Sequence, residues 1–319
     1  MANTIADKLQ GLVNGKQYVI DKVNAKSGSN LTITSKWQDI GDSVDELGSS
    51  GGSSKSLKPY LDIKKSAYEL FHNCVNLTNE QLAEFIPTYD TTSNVTLMGY
   101  MFYNCSNLTE IPQFDTSKAT GMSYLFYGCK NITSIPLLDT SQATTTSYMF
   151  NNCSALISVP QLNISKSSSI SYMFNGCSQL ITIPPLDTIK VTGMGGAFKN
   201  CYNLTKVDIS YYKATSSSYS QETCWNCYSL KAFIIRSFGS SYSFNTNCFG
   251  SCYHFTGTQS TQYNPNGDKD GYIYVPRDMI ETLSSATNWS TYADRFRALE
   301  DYTKDGTTTG EFDDEKAGL

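Results

Sequence analysis

Apolar and polar positions recur through the middle of this chain with a step of 24 residues. A representative phrase is SYMFNGCSQLITIPPLDT, residues 171–188, in which a Phe precedes the Cys by three positions and a Leu follows it by three. Eight such units occur, the first interval being 31 residues and the last two 26 and 25. The five regular units repeat the same pair of apolar residues: Phe102 and Cys105, Phe126 and Cys129, Phe150 and Cys153, Phe174 and Cys177, Phe198 and Cys201.

A 24-residue unit is too short to bury its own apolar side, whereas stacked units share one continuous core. The pattern C-x-x-L-x-x-I-P predicts a short parallel strand that ends at the proline. The Asp-Thr pair after it predicts a return turn, because Asp side chains bond nearby backbone N–H groups. The S-Y-M-F-x-x-C piece predicts a tight turn or one helical turn on the opposite side. Residues 61–256 are therefore predicted to form a stack of about eight units.

The two ends of the chain lack the repeat and predict separate modules. The N-terminal residues 1–47 carry helical spacing with a heptad-like seam formed by Ile5, Leu9, Leu12, Val19 and Val23. The Gly/Ser-rich segment 48–60 predicts a linker. Residues 257–303 predict a C-terminal cap with a helix from Asp278 to Leu283. Residues 304–319, which end in EFDDEKAGL, predict a solvated acidic tail.

Composition restricts the classes of function. The net charge of −5 and the absence of a basic stripe argue against a nucleic-acid partner. The chain has no 18-residue apolar run, which excludes a transmembrane helix. The N-terminus lacks the apolar region of an export signal, so the expectation is a protein that leaves the cell by another route or is held until released.

The regular cysteine column predicts free thiols that act as small apolar core groups. Equivalent residues of stacked units lie about 4.8 Å apart and point the same way, which fits neither disulfide geometry nor a tetrahedral zinc site. One alternative remains open at Cys224, Cys227, Cys248 and Cys252, whose spacing is similar to that of a zinc ribbon and also allows a disulfide.

Residues for catalysis are scarce, and no cofactor or metal is predicted. The chain has two histidines, His72 and His254, in units at opposite ends of the array. Two histidines so far apart argue against a Ser-His-Asp or Cys-His catalytic site. The alternative is a glycosidase-like carboxylate pair, Asp115 and Asp139, about 5 Å apart in a stack. Because Asn163 follows in the same column, turn capping is favoured, and the protein is predicted not to be an enzyme.

Two groups of aromatic residues are candidates for a contact surface. The column of Tyr100, Tyr124, Tyr148 and Tyr172 favours a half-buried stack over a binding strip. The repeat breaks down over residues 208–222, and the aromatic residues around this break predict a surface for a ligand or partner. A disordered loop is the alternative there. The predicted contact residues are Tyr211, Tyr212, Tyr219 and Trp225.

The phrase LTEIPQFDTSKATGMSYLFYGC, residues 108–129, resembles the BspA-type leucine-rich repeat in its 24-residue form. The resemblance covers residues 66–256 and implies an α/β fold, a right-handed leucine-rich-repeat solenoid. It also implies a role in adhesion or surface recognition, without a fixed ligand. The segment YVP…ATNWSTYADR resembles the segment that closes such domains.

The N-terminal residues MANTIADKLQ…KVNAKSGSN…ITSKWQDIGDSVDEL resemble the short helical module of tailed-phage virion proteins. The resemblance implies a homo-oligomer, taken as a trimer, that is anchored to other virion proteins. A small helical pair packed on the repeats is the alternative. We therefore expect a non-catalytic virion protein whose solenoid binds a host surface protein or glycan. The second hypothesis is a bacterial cell-surface or secreted adhesin.

Overall fold

The computed structural model describes residues 65–214, 220–243, 245 and 247–319. The predicted N-terminal module, its seam residues Ile5, Leu9, Leu12, Val19 and Val23, and the linker lie outside the described residues. Within the described ranges, no helix is both long enough and apolar enough to cross a membrane. The 24-residue repeat of the sequence is present as a repeated backbone pattern with parallel pairing between successive units.

The segment around each Phe forms a tight turn that also pairs with the next unit. The N–H groups of Met98 and Phe102 donate to the carbonyl oxygens of Gly121 and Leu125 in the following unit, both at 2.9 Å. The N–H of Cys105 donates within its own unit, to the Phe102 carbonyl at 3.1 Å. Every second N–H therefore links two units and the others close the turn, which confirms the predicted tight turn.

Each turn except that of the last unit places two residues in the left-handed region. One lies two positions after the Phe and is an Asn or a Gly in the regular units, as at Asn152 (φ 60°) and Gly176 (φ 77°). Asn and Gly adopt this conformation at the lowest cost. A Cβ on Gly176 would collide with the Asn152 side chain of the preceding unit. The Asn/Gly alternation thus follows from both backbone conformation and space.

The core of the stack is a column of phenylalanine rings that is shielded from solvent. Phe102 and Phe126 lie with ring centroids 5.4 Å apart and nearly parallel, and Phe150 and Phe174 are likewise 5.4 Å apart. All the predicted column residues have 0% exposure. The prediction that this column forms the core is confirmed. These residues are Phe102, Cys105, Phe126, Cys129, Phe150, Cys153, Phe174, Cys177, Phe198 and Cys201.

Parallel strands form, but not in the units for which they were predicted. A four-stranded sheet has the order β1-β3-β5-β6, and a two-stranded sheet pairs β2 with β4. All of these neighbours are parallel. The strands are β1 Lys206–Ile209, β2 Tyr212–Ala214, β3 Ala232–Ile235, β4 Phe238–Tyr242, β5 Tyr272–Val275 and β6 Phe296–Ala298.

The four units in which Ile or Val precedes a proline have no regular strand after the Cys, and the described residues have one isolated bridge there, Ser158 to Thr182. Their proline lies seven positions after the Cys, where Asp208 and Ile234 lie in β1 and β3. The proline therefore falls inside the strand position, where it removes a ladder N–H. The predicted strand is wrong for these units and forms where the proline is absent.

Short helices occur in the insertion after the first unit, at the end of the last unit, in the C-terminal cap and near the C-terminus. The predicted cap helix is confirmed, with its regular α-helical part beginning two residues later than expected. The α-helices are α1 Asn79–Phe85, α2 Tyr253–Thr256, α3 Ile280–Ser285 and α4 Asp314–Ala317. The 3-10 helices are Tyr89–Thr92, Arg277–Met279, Trp289–Arg295 and Leu299–Tyr302.

Residues 304–319, here called the C-terminal segment, correct the predicted solvated tail. Phe312 is buried and packs edge-on against Tyr274 of β5, with ring centroids 4.9 Å apart. A second apolar cluster holds Phe312 together with Ala232 and Ile234 of β3. The segment therefore covers the face of the four-stranded sheet that points away from the main core, because that face would otherwise expose apolar side chains.

Thr140 and Thr188 occupy equivalent positions of two units, but replacement by Val should change the stability of the protein differently at each. The buried hydroxyl of Thr140 has no hydrogen-bond partner, and Ile164 occupies the equivalent position of the next unit. The Thr188 hydroxyl instead donates to the Tyr211 carbonyl at 2.5 Å and accepts from its N–H at 3.0 Å. We expect Thr140→Val to leave stability unchanged or raise it, and Thr188→Val to lower it by about 1–3 kcal/mol.

Urea denaturation of the two variants measures this difference. Equal losses of unfolding free energy in both would contradict the assignment of Thr140 as an unsatisfied hydroxyl.

Candidate recognition surface

Half-buried tyrosines form a regular column on the surface of the stack, next to the phenylalanine core. Tyr100, Tyr124, Tyr148 and Tyr172 each lie two positions before the core Phe of their unit. Successive rings are stacked with centroids 4.4, 4.6 and 5.0 Å apart. Their planes differ by at most 15°. The rings thus cover one another's faces, and what remains accessible is their edges. The prediction of a half-buried stack is confirmed, and the accessible edges also allow contact with a ligand.

These four tyrosines have an unfavourable backbone conformation. Their φ angles are 58°, 61°, 61° and 55°, in the left-handed region. For a non-glycine residue this region costs roughly 1–2 kcal/mol. The backbone does not require a tyrosine there, because Gly196 and Glu222 take the same position in later units, at φ 61° and 54°. The column therefore carries conformational strain that its ring contacts offset in part.

The tyrosine hydroxyls are neutral donors. Burial raises the pKa of Tyr100, Tyr124 and Tyr148, and electrostatic repulsion from neighbouring tyrosines raises it further. Because the usual pKa is already near 10, these hydroxyls stay protonated at neutral pH and can both donate and accept hydrogen bonds.

A second row lies beside the first. Tyr103 and Tyr127 each follow the core Phe directly, and their rings stack with centroids 4.5 Å apart. His72 continues this row by stacking on Tyr103 at 4.7 Å. A separate column near the C-terminal end contains Tyr202, Tyr228 and Tyr253, stacked at 4.8 and 4.7 Å. Sequence reasoning missed both rows, although an alignment of the eight units places them in register.

The structure corrects one of the four contact residues predicted around residues 208–222. Tyr212 is 1% exposed, because its ring packs edge-on against Trp289 of the cap and its hydroxyl donates to the Ser243 carbonyl at 2.8 Å. It is a core residue and cannot contact a ligand. Tyr211 and Trp225 are half-buried, and their side chains lie next to Gly239 and Gly250 respectively. Tyr219 lies outside the described residues.

A shallow groove of about 380 Å³ lies next to this segment. Pro185 contributes to its apolar wall, and its polar groups are Gln161, Asn163, Asp187, Ser210 and Arg236. The Ser210 hydroxyl donates to Asp187 Oδ1 at 3.1 Å. The groove is lined by residues of four successive units, and no motif of the sequence predicts it.

The cysteine column has a role that spacing alone did not predict. The Cys129, Cys153 and Cys177 thiols each donate to the carbonyl of the core Phe in the preceding unit, at 3.0, 3.0 and 3.1 Å. That same carbonyl accepts the Cys N–H of its own unit. Each thiol is thus a small apolar group that also links two units through a weak hydrogen bond.

The four cysteines near the C-terminal end lie in the same core. Cys224, Cys227, Cys248 and Cys252 are buried and unbridged. The Cys252 thiol donates to the Cys224 carbonyl at 3.0 Å. In the part of the chain that the structure describes, no group of three or more His, Cys, Asp or Glu side chains is arranged to hold a metal ion.

We expect the thiols of the regular cysteine column to be unreactive in the folded protein. Burial raises the pKa of Cys129 to about 12 and raises that of Cys153 and Cys177 as well. The thiolate is the reactive form, so a thiol reagent at pH 8 should modify these column thiols slowly in the native chain. After unfolding without reductant, it should titrate about ten groups. Six or fewer would contradict the unbridged column.

The column of Asp side chains caps turns. Asp115 Oδ1 accepts from the Ser117 N–H at 2.8 Å, and Asp139 Oδ1 accepts from the Ser141 N–H at 2.9 Å. Hydrogen bonds from the Ser141 side chain and backbone hold the pKa of Asp139 below its usual value. These carboxylates therefore stabilise the return turns that the sequence predicted.

His254 joins the last unit to the cap. Its Nδ1 lies 2.5 Å from Asp270 Oδ1, and its Nε2 lies 3.0 Å from the Tyr263 carbonyl oxygen. Burial raises the pKa of Asp270, but hydrogen bonds from Lys231 and His254 outweigh burial and leave it below its usual value. The histidine thus holds residues 253–256 against the loop that follows them.

The described fold and surface define a repeat protein with few helices and parallel pairing between units. The chain belongs to the family described as "Mycoplasma protein of unknown function, DUF285", which matches residues 65–183 and 158–261. These matches coincide with the repeat units and cover more than half of the chain. No curated protein matches it.

Proposed function

We propose that this protein is a non-catalytic phage virion protein whose repeats recognise a host surface protein or glycan. In this proposal the repeats form a right-handed leucine-rich-repeat solenoid of the BspA type. The N-terminal module attaches the protein to other virion proteins and assembles it as a trimer through Ile5, Leu9, Leu12, Val19 and Val23.

The observation that carries a recognition role is the strained tyrosine column. Tyr124 and Tyr148 occupy a left-handed position that glycine fills in a later unit, and their edges remain accessible. Tyrosine presents a large, rigid contact area with little loss of conformational entropy. Since strained residues cluster at functional sites, the column supports a binding surface better than it supports a purely structural one.

Catalysis has little support in the described residues. A carboxylate pair for glycoside hydrolysis needs a general acid with a raised pKa, whereas the pKa of Asp139 is lowered by turn-capping hydrogen bonds. His254 is buried and held by Asp270 and Tyr263. We therefore propose recognition without chemistry.

Mass spectrometry of purified particles from the source tests the virion assignment. The protein should be present in stoichiometric amounts in particles that have been separated from cell debris. Its absence from particles, together with its recovery from bacterial surfaces, would reject the virion role in favour of a cell-surface adhesin.

Light scattering on the full chain tests the oligomeric state. We expect a trimer for the native sequence and a smaller species for the double variant Leu9→Asp and Leu12→Asp, because charges at seam positions oppose helix association. A monomeric native chain would reject the trimer.

A further inference from the structure

We infer that the tyrosine face binds an extended, uncharged glycan chain that lies along the axis of the stack; this rests on the recognition role proposed above. The tyrosine face is defined here as Tyr100, Tyr124, Tyr148 and Tyr172 with the adjacent Tyr103 and Tyr127.

The charge pattern of the face selects a neutral ligand. The four stretches 97–105, 121–129, 145–153 and 169–177 contain no Asp, Glu, Lys or Arg. The units on either side break this pattern, with Glu69 before the face and with Lys199, paired with Glu222 at 2.6 Å, after it. An anionic polymer would be held by basic side chains, and such side chains are absent from these stretches. The face is therefore complementary to a ligand without charge.

The orientation of the rings selects a ligand with hydroxyl groups. Because successive rings stack on one another, their faces are occupied and their edges are accessible. An apolar anchor residue of a protein partner would need a pocket, whereas this face offers edges with hydroxyls that donate and accept hydrogen bonds. A sugar chain presents C–H groups and hydroxyls together, so it can use both parts of a tyrosine edge.

The spacing along the stack selects a linear polymer. The column repeats a similar group every 4.4–5.0 Å over four units, a step comparable with one sugar residue in an extended chain. A polymer in this direction meets one tyrosine for each sugar residue. Affinity should then rise with chain length up to about four residues, one for each tyrosine of the column.

The test is calorimetric titration of the full chain with length series of neutral oligosaccharides. The probes are β-1,4-linked glucose, β-1,4-linked N-acetylglucosamine and mannose oligomers, with a uronic-acid oligomer as the anionic comparison. We expect at least one neutral series to bind with an affinity that rises with length, and the anionic series to bind more weakly. Absence of binding by all three neutral series would overturn the inference.

Substitutions at the centre of the face give the second arm of the test. Tyr148→Gly removes one ring and relieves the left-handed strain, as Gly196 does in a later unit. We expect about tenfold weaker binding, from the loss of one aromatic contact and its hydroxyl. Tyr148→Phe keeps the ring and should show a smaller loss. Tyr228→Ala, in the separate C-terminal column, should bind like the native chain. Equal binding by Tyr148→Gly and the native chain would overturn the inference.

Adsorption of the same full-length variants to host cells separates this inference from the proposed function. If cells bind the native chain better than Tyr148→Gly while no neutral oligosaccharide binds, the ligand is a protein; the glycan inference then fails and the recognition role stands. If neither cells nor oligosaccharides bind the native chain, both fail.

Discussion

Truncation of one ring in the phenylalanine column, Phe150→Ala, is expected to lower the free energy of unfolding by about 3–5 kcal/mol. Phe150 is 0% exposed and lies between Phe126 and Phe174, with ring centroids 5.7 and 5.4 Å away. The neighbouring rings are held by their own units, so they cannot close the cavity. Since each repeat contacts only its neighbours, the variant should also weaken the coupling between the two halves of the stack.

Urea denaturation with a matched surface variant measures this effect. Ile157→Ala lies in the same unit, where Ile157 is 46% exposed, and should change stability by no more than about 0.5 kcal/mol. Similar losses in the two variants would contradict the assignment of the Phe column as the core. A separate early transition in Phe150→Ala alone would support the loss of coupling between units.

Removal of the Arg236 guanidinium is expected to cost about 3–5 kcal/mol, because it leaves the buried Asp208 carboxylate without a partner. The Asp208 side chain is 2% exposed, and Arg236 Nε and Nη2 donate to its two oxygens at 2.8 and 2.7 Å. Arg236 Nη1 also donates to the carbonyls of Thr308 and Gly310, at 3.0 and 2.8 Å. Arg236→Met should therefore also release the C-terminal segment.

Two measurements check this prediction. Urea denaturation gives the loss of stability, and limited proteolysis should cleave within residues 304–319 faster than in the native chain. The double variant Arg236→Met and Asp208→Asn should recover part of the stability, because it no longer buries an unpaired charge. Arg277→Met serves as the surface control. Its exposed pair with Asp301 should be worth about 0–1 kcal/mol. Full stability in Arg236→Met would contradict the role assigned to the pair.

The repeat made much of this fold predictable. Any side chain at the Phe position meets the same side chain one unit away, so the burial of Phe126 or Cys129 follows from the 24-residue step alone. The turn around each Phe was predictable for the same reason. The thiol hydrogen bond to the preceding Phe carbonyl was not, because it depends on the offset between units, which periodicity does not specify.

The predictions from the sequence are wrong where a residue contacts a part of the chain outside its own column. The sequence predicts that the proline of the I-P dipeptide ends a strand. In the structure the equivalent position lies inside β1 and β3, which pair with each other. Tyr212 looked like a surface aromatic in an irregular segment, but the cap supplies Trp289 as a cover for its ring. The outcome in both cases depends on a partner that is distant in the sequence.

The repeat step, the core columns and the tight turns follow from the amino-acid sequence alone, because each similar unit provides the environment of the next and local preferences agree with the stack. Tertiary contacts determine which units form regular strands, that the C-terminal segment packs on the sheet, and that the tyrosine edges remain accessible. These features depend on contacts between parts of the chain that do not repeat, such as Phe312 with Tyr274 and Arg236 with Gly310. Their free energies arise from burial and charge pairing that exist only after the chain has folded.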